Sequence, residues 1–122
     1  MNISSSQLED VCKSLLQRTV SFTVKNKIIK KGKIELFTQR NFHIVFHLLT
    51  NKNKKEKLEI PIPFSIEEHL DDGLLFFDYR IKSLSKYFPE AEPDLLKLLE
   101  KNKSKNTKFT NTILLIENIN NE

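Results

Sequence analysis

The chain contains 122 residues, of which 39% are hydrophobic, and its 20 basic and 16 acidic side chains give a formal net charge of +4. This length suits a single domain, 1–122, with one hydrophobic core, and the two glycines, four prolines and one cysteine exclude collagen-like, mucin-like and disulfide-scaffold proteins. No uncharged apolar run approaches the roughly 18 residues of a membrane-spanning helix, and the polar N-terminus is unlike a signal peptide, so we expect a cytoplasmic protein without a transmembrane segment.

Residues 4–17 have the pattern of an amphipathic helix. The apolar side chains recur three or four positions apart and form one stripe, which consists of Leu8, Val11, Cys12, Leu15 and Leu16. Ser6 followed by Glu9 predicts a capping box, in which each side chain accepts a hydrogen bond from the other residue's backbone N–H. Because Cys12 lies within the stripe, we interpret it as a core residue rather than a reactive thiol.

After the helix the hydrophobic period changes to two, which predicts a β-meander over residues 18–81. Its first strand covers 20–24 and its second covers 28–37. A tight turn is expected at Asn26-Lys27, because asparagine tolerates a positive φ. Gly32 lies inside the second strand and indicates a β-bulge or a sharp bend there.

The third and fourth strands are predicted over residues 42–49 and 58–64. Pro61 and Pro63 share one face of the fourth strand and donate no backbone hydrogen bond, which predicts an edge strand or a strand end. The acidic residues 65–72 that follow are interpreted as a connector that contains a short helical turn.

The C-terminal part is predicted to contain a strand, a helix and a final strand. The strand covers 74–81 after the turn signal Asp72-Gly73. The helix covers 93–101, since Pro93 suits the first helical turn, and the final strand covers 109–119. Together the elements predict an α+β fold, a twisted antiparallel meander of about five to six strands that curls into a barrel-like shape, with an N-terminal and a late helix.

Two sequence patterns resemble known families of small β-barrels. The first pattern is Val20-x-Phe22-x-Val24-x-Asn26, Gly32-x-Ile34, Phe37 and Asn41-Phe42-x-Ile44. It resembles the first motif of the Sm-like RNA-binding proteins, which have an N-terminal helix and a bent five-stranded sheet. The resemblance implies RNA binding, and it matches Asn41 to the base-contacting asparagine of that family.

The second pattern lies between Gly32 and Ile81. It includes Ile62-Pro63-Phe64 and Phe77-Asp78-Tyr79-Arg80-Ile81. This segment resembles the N-terminal barrel that accompanies PilZ domains in bacterial signalling proteins. The PilZ Arg-x3-Arg motif is absent, because the three arginines are at positions 18, 40 and 80. The resemblance therefore implies a protein-interaction or signalling adaptor without a cyclic dinucleotide site.

The net charge is distributed unevenly along the chain. It is +7 for residues 1–64 (12 basic, 5 acidic), −5 for 65–100 (4 and 9) and +2 for 101–122 (4 and 2). In an antiparallel meander the first and third turns lie at the same end of the sheet, so the lysines near these turns are expected to share one edge. We call this set the lysine rim, and it consists of Lys25, Lys27, Lys30, Lys31, Lys33, Lys52, Lys54, Lys55 and Lys57.

Such a rim predicts binding to nucleic acid or another polyanion, with a strong dependence on salt. A second interpretation is that the lysines only solubilise turns and protect strand edges. The excess of 17 lysines over 3 arginines also fits an AT-rich coding sequence.

Other polar and aromatic residues receive structural interpretations. Phe42 and Phe46 are expected in the core rather than as a base-stacking surface. His43 and His47, four residues apart on a strand, lie about 13 Å apart, too far to share a metal ion, and are expected on a semi-exposed face that suits a partner. The segment 67–72 is interpreted as solvated or as a contact for the basic rim of a second copy.

Asp78 and Arg80 are two residues apart on a strand and are expected to form an ion pair rather than a catalytic site. No Gly-rich phosphate loop or G-x-S-x-G elbow is present. We therefore expect a non-enzymatic binding module without a metal or cofactor, whose partner is a polyanion, with a protein-interaction adaptor or self-association as the alternative.

Overall fold

A computed structural model describes residues 3–80, 83–105 and 110–119. The helices are α1 (Ser5–Ser14), α2 (Leu84–Tyr87) and α3 (Pro93–Lys101). The strands are β1 (Thr19–Val24), β2 (Lys27–Gln39), β3 (His43–Leu49), β4 (Lys55–Pro61), β5 (Ser65–His69), β6 (Leu74–Tyr79), β7 (Ser104–Lys105) and β8 (Thr110–Glu117). A short 3-10 helix, Leu70–Asp72, connects β5 to β6. The fold is therefore α+β, and its sheet has more strands than the sequence predicts.

The strands form an antiparallel sheet in the order β4-β3-β2-β1-β8-β6-β5, and β7 pairs with β8 beside this path. Strands β1 to β4 form the predicted meander, and β4 is at an edge, as its prolines predict. The C-terminal strand β8 lies between β1 and β6, so residues 18–81 are not one continuous meander. The hydrogen-bond ladder does not close between the edge strands β4 and β5 in the described part of the chain, and a closed barrel is not confirmed.

The β1–β2 hairpin turns at Lys25-Asn26, one residue earlier than predicted. Both residues have positive φ angles, 50° and 69°, as a two-residue type I′ turn requires. The register of β2 shifts at Ile29 and again at Glu35, each of which is left without a partner. The predicted bulge at Gly32 is therefore wrong in position, since the two bulges flank it. Gly32 instead permits a close approach, because a Cβ there would lie 2.9 Å from the Leu49 carbonyl oxygen.

Helix α1 begins within one residue of the predicted start and ends at Ser14, three residues before the predicted end, and its capping box differs from the predicted one. The Gln7 N–H donates to Ser4 Oγ at 3.2 Å, and the Ser4 N–H donates to Gln7 Oε1 at 3.0 Å. This pair, and not Ser6 with Glu9, forms the capping box. The preceding Ile3 N–H is held by the Phe64 carbonyl at 3.0 Å, which anchors the chain to the end of the sheet just before Ser4.

One hydrophobic cluster connects α1, one face of the sheet and α3. Cys12 is 1% exposed and belongs to this core, as predicted. Phe46 is also buried and packs on Phe22 with ring centroids 5.4 Å apart. The prediction for Phe42 is wrong, because this side chain is 63% exposed. Strand β3 begins only at His43, so the alternation of the strand does not extend to Phe42.

The acidic connector is mostly a strand. Residues 65–69 form β5, and only Leu70–Asp72 form the predicted helical turn. Helix α3 has the predicted bounds, whereas the sequence gives no signal for α2. The predicted strand residues 81 and 109 lie outside the described residues. Across the described ranges, no helix has both the length and the apolar composition needed to cross a bilayer.

Candidate functional site: the lysine rim and its surroundings

The lysines of the rim occupy the β1–β2 turn, the adjoining half of β2, the β3–β4 turn and the start of β4. The two turns point the same way because the four strands are antiparallel neighbours. The strands are staggered, however: Leu49 at the end of β3 is level with Lys33 and Thr19, whereas the β1–β2 turn follows Val24. The β3–β4 turn lies beside the middle of β2, since Thr50 and Asn51 line one cavity of about 240 Å³ together with Lys31 and Lys33. The arrangement brings the two lysine-rich segments together.

Part of the rim forms a cross-strand row. Lys33 of β2 and Lys55 of β4 both lie opposite Leu49 of β3, one on each side. Strands in a sheet are about 4.8 Å apart, so the two Cα atoms are separated by about 10 Å. This is close to the Debye length of about 8 Å at physiological salt, so the potentials of neighbouring lysines overlap. A polyanion that crosses the row would meet more than one ammonium group.

Few acidic side chains neutralise the rim. Among the described residues, only Lys30 of the nine lysines forms an ion pair, in which its Nζ lies 3.4 Å from Glu56 Oε1. Lys30 and Lys33 are half-buried, and the other seven lysines are exposed. Across β1 from Lys31, the strand β8 places Glu117 opposite Ser21. This register places one carboxylate beside the rim on the β8 side.

Further polar residues lie beside the β1–β2 turn, and this proximity was not predicted from the sequence. Lys25 and Asn26 line a cavity of about 250 Å³ together with residues from the α3 end and from β8. These polar lining residues are Asn102, Ser104 and Asn111. Exposed Lys105 is on β7, next to this group. The sequence could not predict this arrangement, because the pairing of β7 with β8 is a tertiary feature.

Asn41, the residue matched to a base contact, lies at the opposite end of the sheet. It belongs to the β2–β3 turn, and the seven residues of β3 separate it from the β3–β4 turn. At about 3.3 Å per residue, this distance is roughly 20 Å. Asn41 is exposed and lines a cavity of about 270 Å³ with Phe42, Phe64 and Arg80. The structure therefore does not bring Asn41 together with the lysine rim.

The acidic residues also lie away from the rim. Glu67, Glu68 and His69 are exposed on β5, at the other edge of the sheet from β4. His69 Nε2 lies 2.8 Å from Glu67 Oε1. The strand registers place His69, the last residue of β5, in the same cross-strand row as Lys31, with β6, β8 and β1 between them. The acidic strand and the rim are thus separated across the sheet by three strands.

The predicted Asp78–Arg80 ion pair and the buried thiol of Cys12 are both present in the structure. Arg80 Nε donates to Asp78 Oδ2 at 3.4 Å, which confirms the predicted ion pair. Burial raises the pKa of the Cys12 thiol to about 12, which removes its thiolate at neutral pH.

The two histidines of β3 differ from each other. His43 is 6% exposed, so the prediction of a semi-exposed side chain is wrong for it. The ring of Phe88 packs edge-on against His43 with centroids 5.8 Å apart, and this covering segment could not be seen in the sequence. His47 is half-buried, as expected for a semi-exposed face.

Comparisons of the chain with protein-family models, with curated proteins and with solved structures give no match.

Proposed function

We propose that this chain is a non-enzymatic, small β-barrel module that binds the phosphate backbone of single-stranded nucleic acid through the lysine rim. The observation that carries the proposal is the group of lysines on β2, the start of β4 and the two turns, of which only Lys30 has a carboxylate partner among the described residues. Unpaired ammonium groups release counterions from a polyanion when they bind it, and this release drives association.

The barrel part of the proposal rests on the short connection between the two edge strands. Only residues 62–64 separate β4 from β5 in the chain. In addition, the buried Tyr79 hydroxyl of β6 donates to the Pro61 carbonyl at the end of β4, at 2.7 Å. The sheet must curl for residues next to opposite edges to make this contact, and curling is what a barrel requires.

The chemistry of the rim favours a backbone contact without base recognition. Lysine ammonium groups act as point charges, and they lack the planar fork with which arginine reads guanine or clamps phosphate. The exposed rim lysines are on two turns and on the adjoining parts of β2 and β4. We therefore expect binding that depends strongly on salt and weakly on nucleotide sequence.

The test is fluorescence anisotropy of labelled single-stranded RNA and DNA over a salt series. For single strands, the slope of log Kobs against log salt is about −0.7 for each neutralised phosphate. A variant with Lys52→Glu, Lys54→Glu and Lys55→Glu should flatten this slope by about 2 if the three lysines each neutralise one phosphate.

The matched control is Lys13→Glu, Lys86→Glu and Lys97→Glu, which changes the same number of charges at exposed positions on the three helices. Both variants lower the formal net charge from +4 to −2, since each of the three substitutions removes two units. Equal loss of affinity in both variants would mean that only net charge matters. Binding that is absent in the natural chain, or unchanged in the rim variant, would contradict the proposal.

A second candidate function is a protein-interaction adaptor of the PilZ-companion type, acting through self-association. It is favoured by Phe42, which is 63% exposed and lines a cavity with Phe64 and Phe88. Sedimentation velocity of the natural chain and of Phe42→Ser tests this self-association. Tyr87→Ser is the control, because Tyr87 is also an exposed aromatic residue, with 58% exposure. Self-association that only Phe42→Ser removes supports this candidate, and a monomer at all concentrations contradicts it.

A further inference from the structure

Three side chains with metal-ligating atoms converge beside β3 and β4. His43 is the first residue of β3, and Glu59 belongs to the adjacent strand β4. Glu90 lies in the segment between α2 and α3. One donor atom from each of the three lies within 4.8 Å of the other two. Residues far apart in the sequence therefore supply one imidazole and two carboxylates to a common point.

The imidazole of His43 is an unusual member of this cluster. It is 6% exposed, and its Nε2 is buried without a hydrogen-bond partner in the described part of the chain. Buried polar atoms are almost always hydrogen-bonded, so an orphan nitrogen needs a physical explanation. A neutral imidazole with an unused ring nitrogen is the most common protein ligand for a metal ion.

The three ligands are held in place by contacts that need no metal. In the β3–β4 ladder, His43 lies opposite Pro61, and Glu59 lies two residues away opposite Val45. His43 and Glu59 are therefore diagonal neighbours on one face of the sheet. The Glu92 N–H donates to the Glu59 carbonyl oxygen at 2.8 Å. This bond fixes the segment that carries Glu90 against β4.

We infer that His43, Glu59 and Glu90 form a binding site for a divalent transition-metal ion, for which Zn²⁺ is the best match. Zinc binds imidazole nitrogen and carboxylate oxygen at about 2.0–2.2 Å, and three protein ligands leave a fourth position open. Calcium and magnesium prefer six or more oxygen ligands.

Small movements are enough to complete the coordination geometry. In a tetrahedral site with bonds of this length, the donor atoms are roughly 3.4 Å apart. Glu90 is exposed, so its side chain can rotate to close the remaining distance. Next to the cluster, Glu59 and Glu90 line a cavity of about 490 Å³, which leaves room for a water molecule or an anionic ligand at the open position.

Arg40 is the main competitor for one ligand. Its Nη1 lies 3.4 Å from Glu59 Oε1. A carboxylate has two oxygens, so Glu59 can accept the guanidinium on one oxygen and offer the other to a metal. Partners of this kind orient metal ligands in known sites, and Arg40 is assigned that positioning role here.

The test is isothermal titration of the full chain with Zn²⁺, together with the visible absorption of bound Co²⁺. The expected result is one saturable ion per chain and a tetrahedral Co²⁺ spectrum. Glu90→Gln should weaken binding at least about 10-fold and leave the circular dichroism spectrum unchanged, because the side chain is exposed. His43→Gln should weaken binding at least as much and change the Co²⁺ spectrum.

The matched control is His69→Gln, since the exposed His69–Glu67 pair is the other place where a histidine meets a carboxylate among the described residues. It should leave the affinity unchanged. Loss of binding in His69→Gln alone would assign the ion to that pair and overturn the inference. The absence of saturable binding, or equal affinity in the natural chain, His43→Gln and Glu90→Gln, would overturn it as well.

Discussion

The hydrogen bond of the Tyr79 hydroxyl connects β6 to β4, and its removal tests how much this contact stabilises the fold. Tyr79 is on β6 and is 1% exposed. Its hydroxyl donates to the Pro61 carbonyl of β4 at 2.7 Å. The substitution Tyr79→Phe removes this donor and little else, so the carbonyl stays buried without this partner.

The size of the effect follows from the burial. Leaving a buried acceptor without a donor costs about 1–3 kcal/mol. The entropy of unfolding is about 2.1 cal/mol/K per residue, or roughly 0.26 kcal/mol/K for a chain of 122 residues. The melting temperature of Tyr79→Phe should therefore fall by about 4–12 °C.

Differential scanning calorimetry measures this change, and Tyr87→Phe is the matched control. Tyr87 is 58% exposed, so loss of its hydroxyl should leave the melting temperature nearly unchanged. If Tyr79→Phe melts at the same temperature as Tyr87→Phe, the hydrogen bond does not stabilise the fold and the reasoning is refuted.

The same residue predicts a dependence on alkaline pH. Burial raises the pKa of Tyr79 well above its ordinary value of 10.0. The unfolded chain therefore loses this proton at a lower pH than the native chain does. The stability contributed by the neutral hydroxyl is complete below pH 10 and is lost as the pH rises further. In Tyr87→Phe, where Tyr79 is the one tyrosine left of two, tyrosinate absorbance should appear only together with unfolding, and its appearance in the folded protein would contradict this.

Three further predictions concern other residues. Because burial raises the pKa of Cys12 to about 12, iodoacetamide at neutral pH should modify the thiol only in urea, and rapid native labelling would contradict its burial. Gly32→Ala should lower the free energy of unfolding in urea by about 1–3 kcal/mol, since the new Cβ would lie 2.9 Å from the Leu49 carbonyl oxygen; an unchanged midpoint would mean that β3 yields easily. Lys25→Asn should raise this free energy by up to about 1 kcal/mol, because Lys25 has a φ of 50° and asparagine tolerates this region; a loss of stability would show that the lysine makes a compensating contact.

Local patterns predicted the elements whose buried faces are regular. The heptad-like stripe of α1, the alternation in β1 and β3 and the Pro93 start of α3 all reappear in the structure. Strand β5 was missed because its pattern is acidic and exposed at positions 67–69, so it has no clear apolar alternation. Backbone pairing with β6 determines that strand.

The candidate sites also differ in how far the sequence could predict them. The lysine rim is a prediction from turn order and antiparallel pairing, whereas the stagger that sets the β3–β4 turn beside Lys31 and Lys33 depends on strand register. The separation of Asn41 from that rim follows from the same pairing, but it becomes clear only when β3 is seen to span the sheet. The cluster of His43, Glu59 and Glu90 could not be predicted, because it depends on the segment after α2 crossing back to β4.

The sequence by itself determined the α+β class, the early meander, the buried thiol and the lysine-rich turns, because periodicity and turn chemistry are local properties. Only the tertiary structure decided where β8 enters the sheet, that the ladder remains open between β4 and β5, and which polar side chains meet. Those features depend on contacts between distant segments, which are selected by burial of the whole core and leave no periodic signal in any one segment. Only folding divides the net charge of +4 between a lysine-rich part of the sheet around β2 and an acidic edge strand, β5.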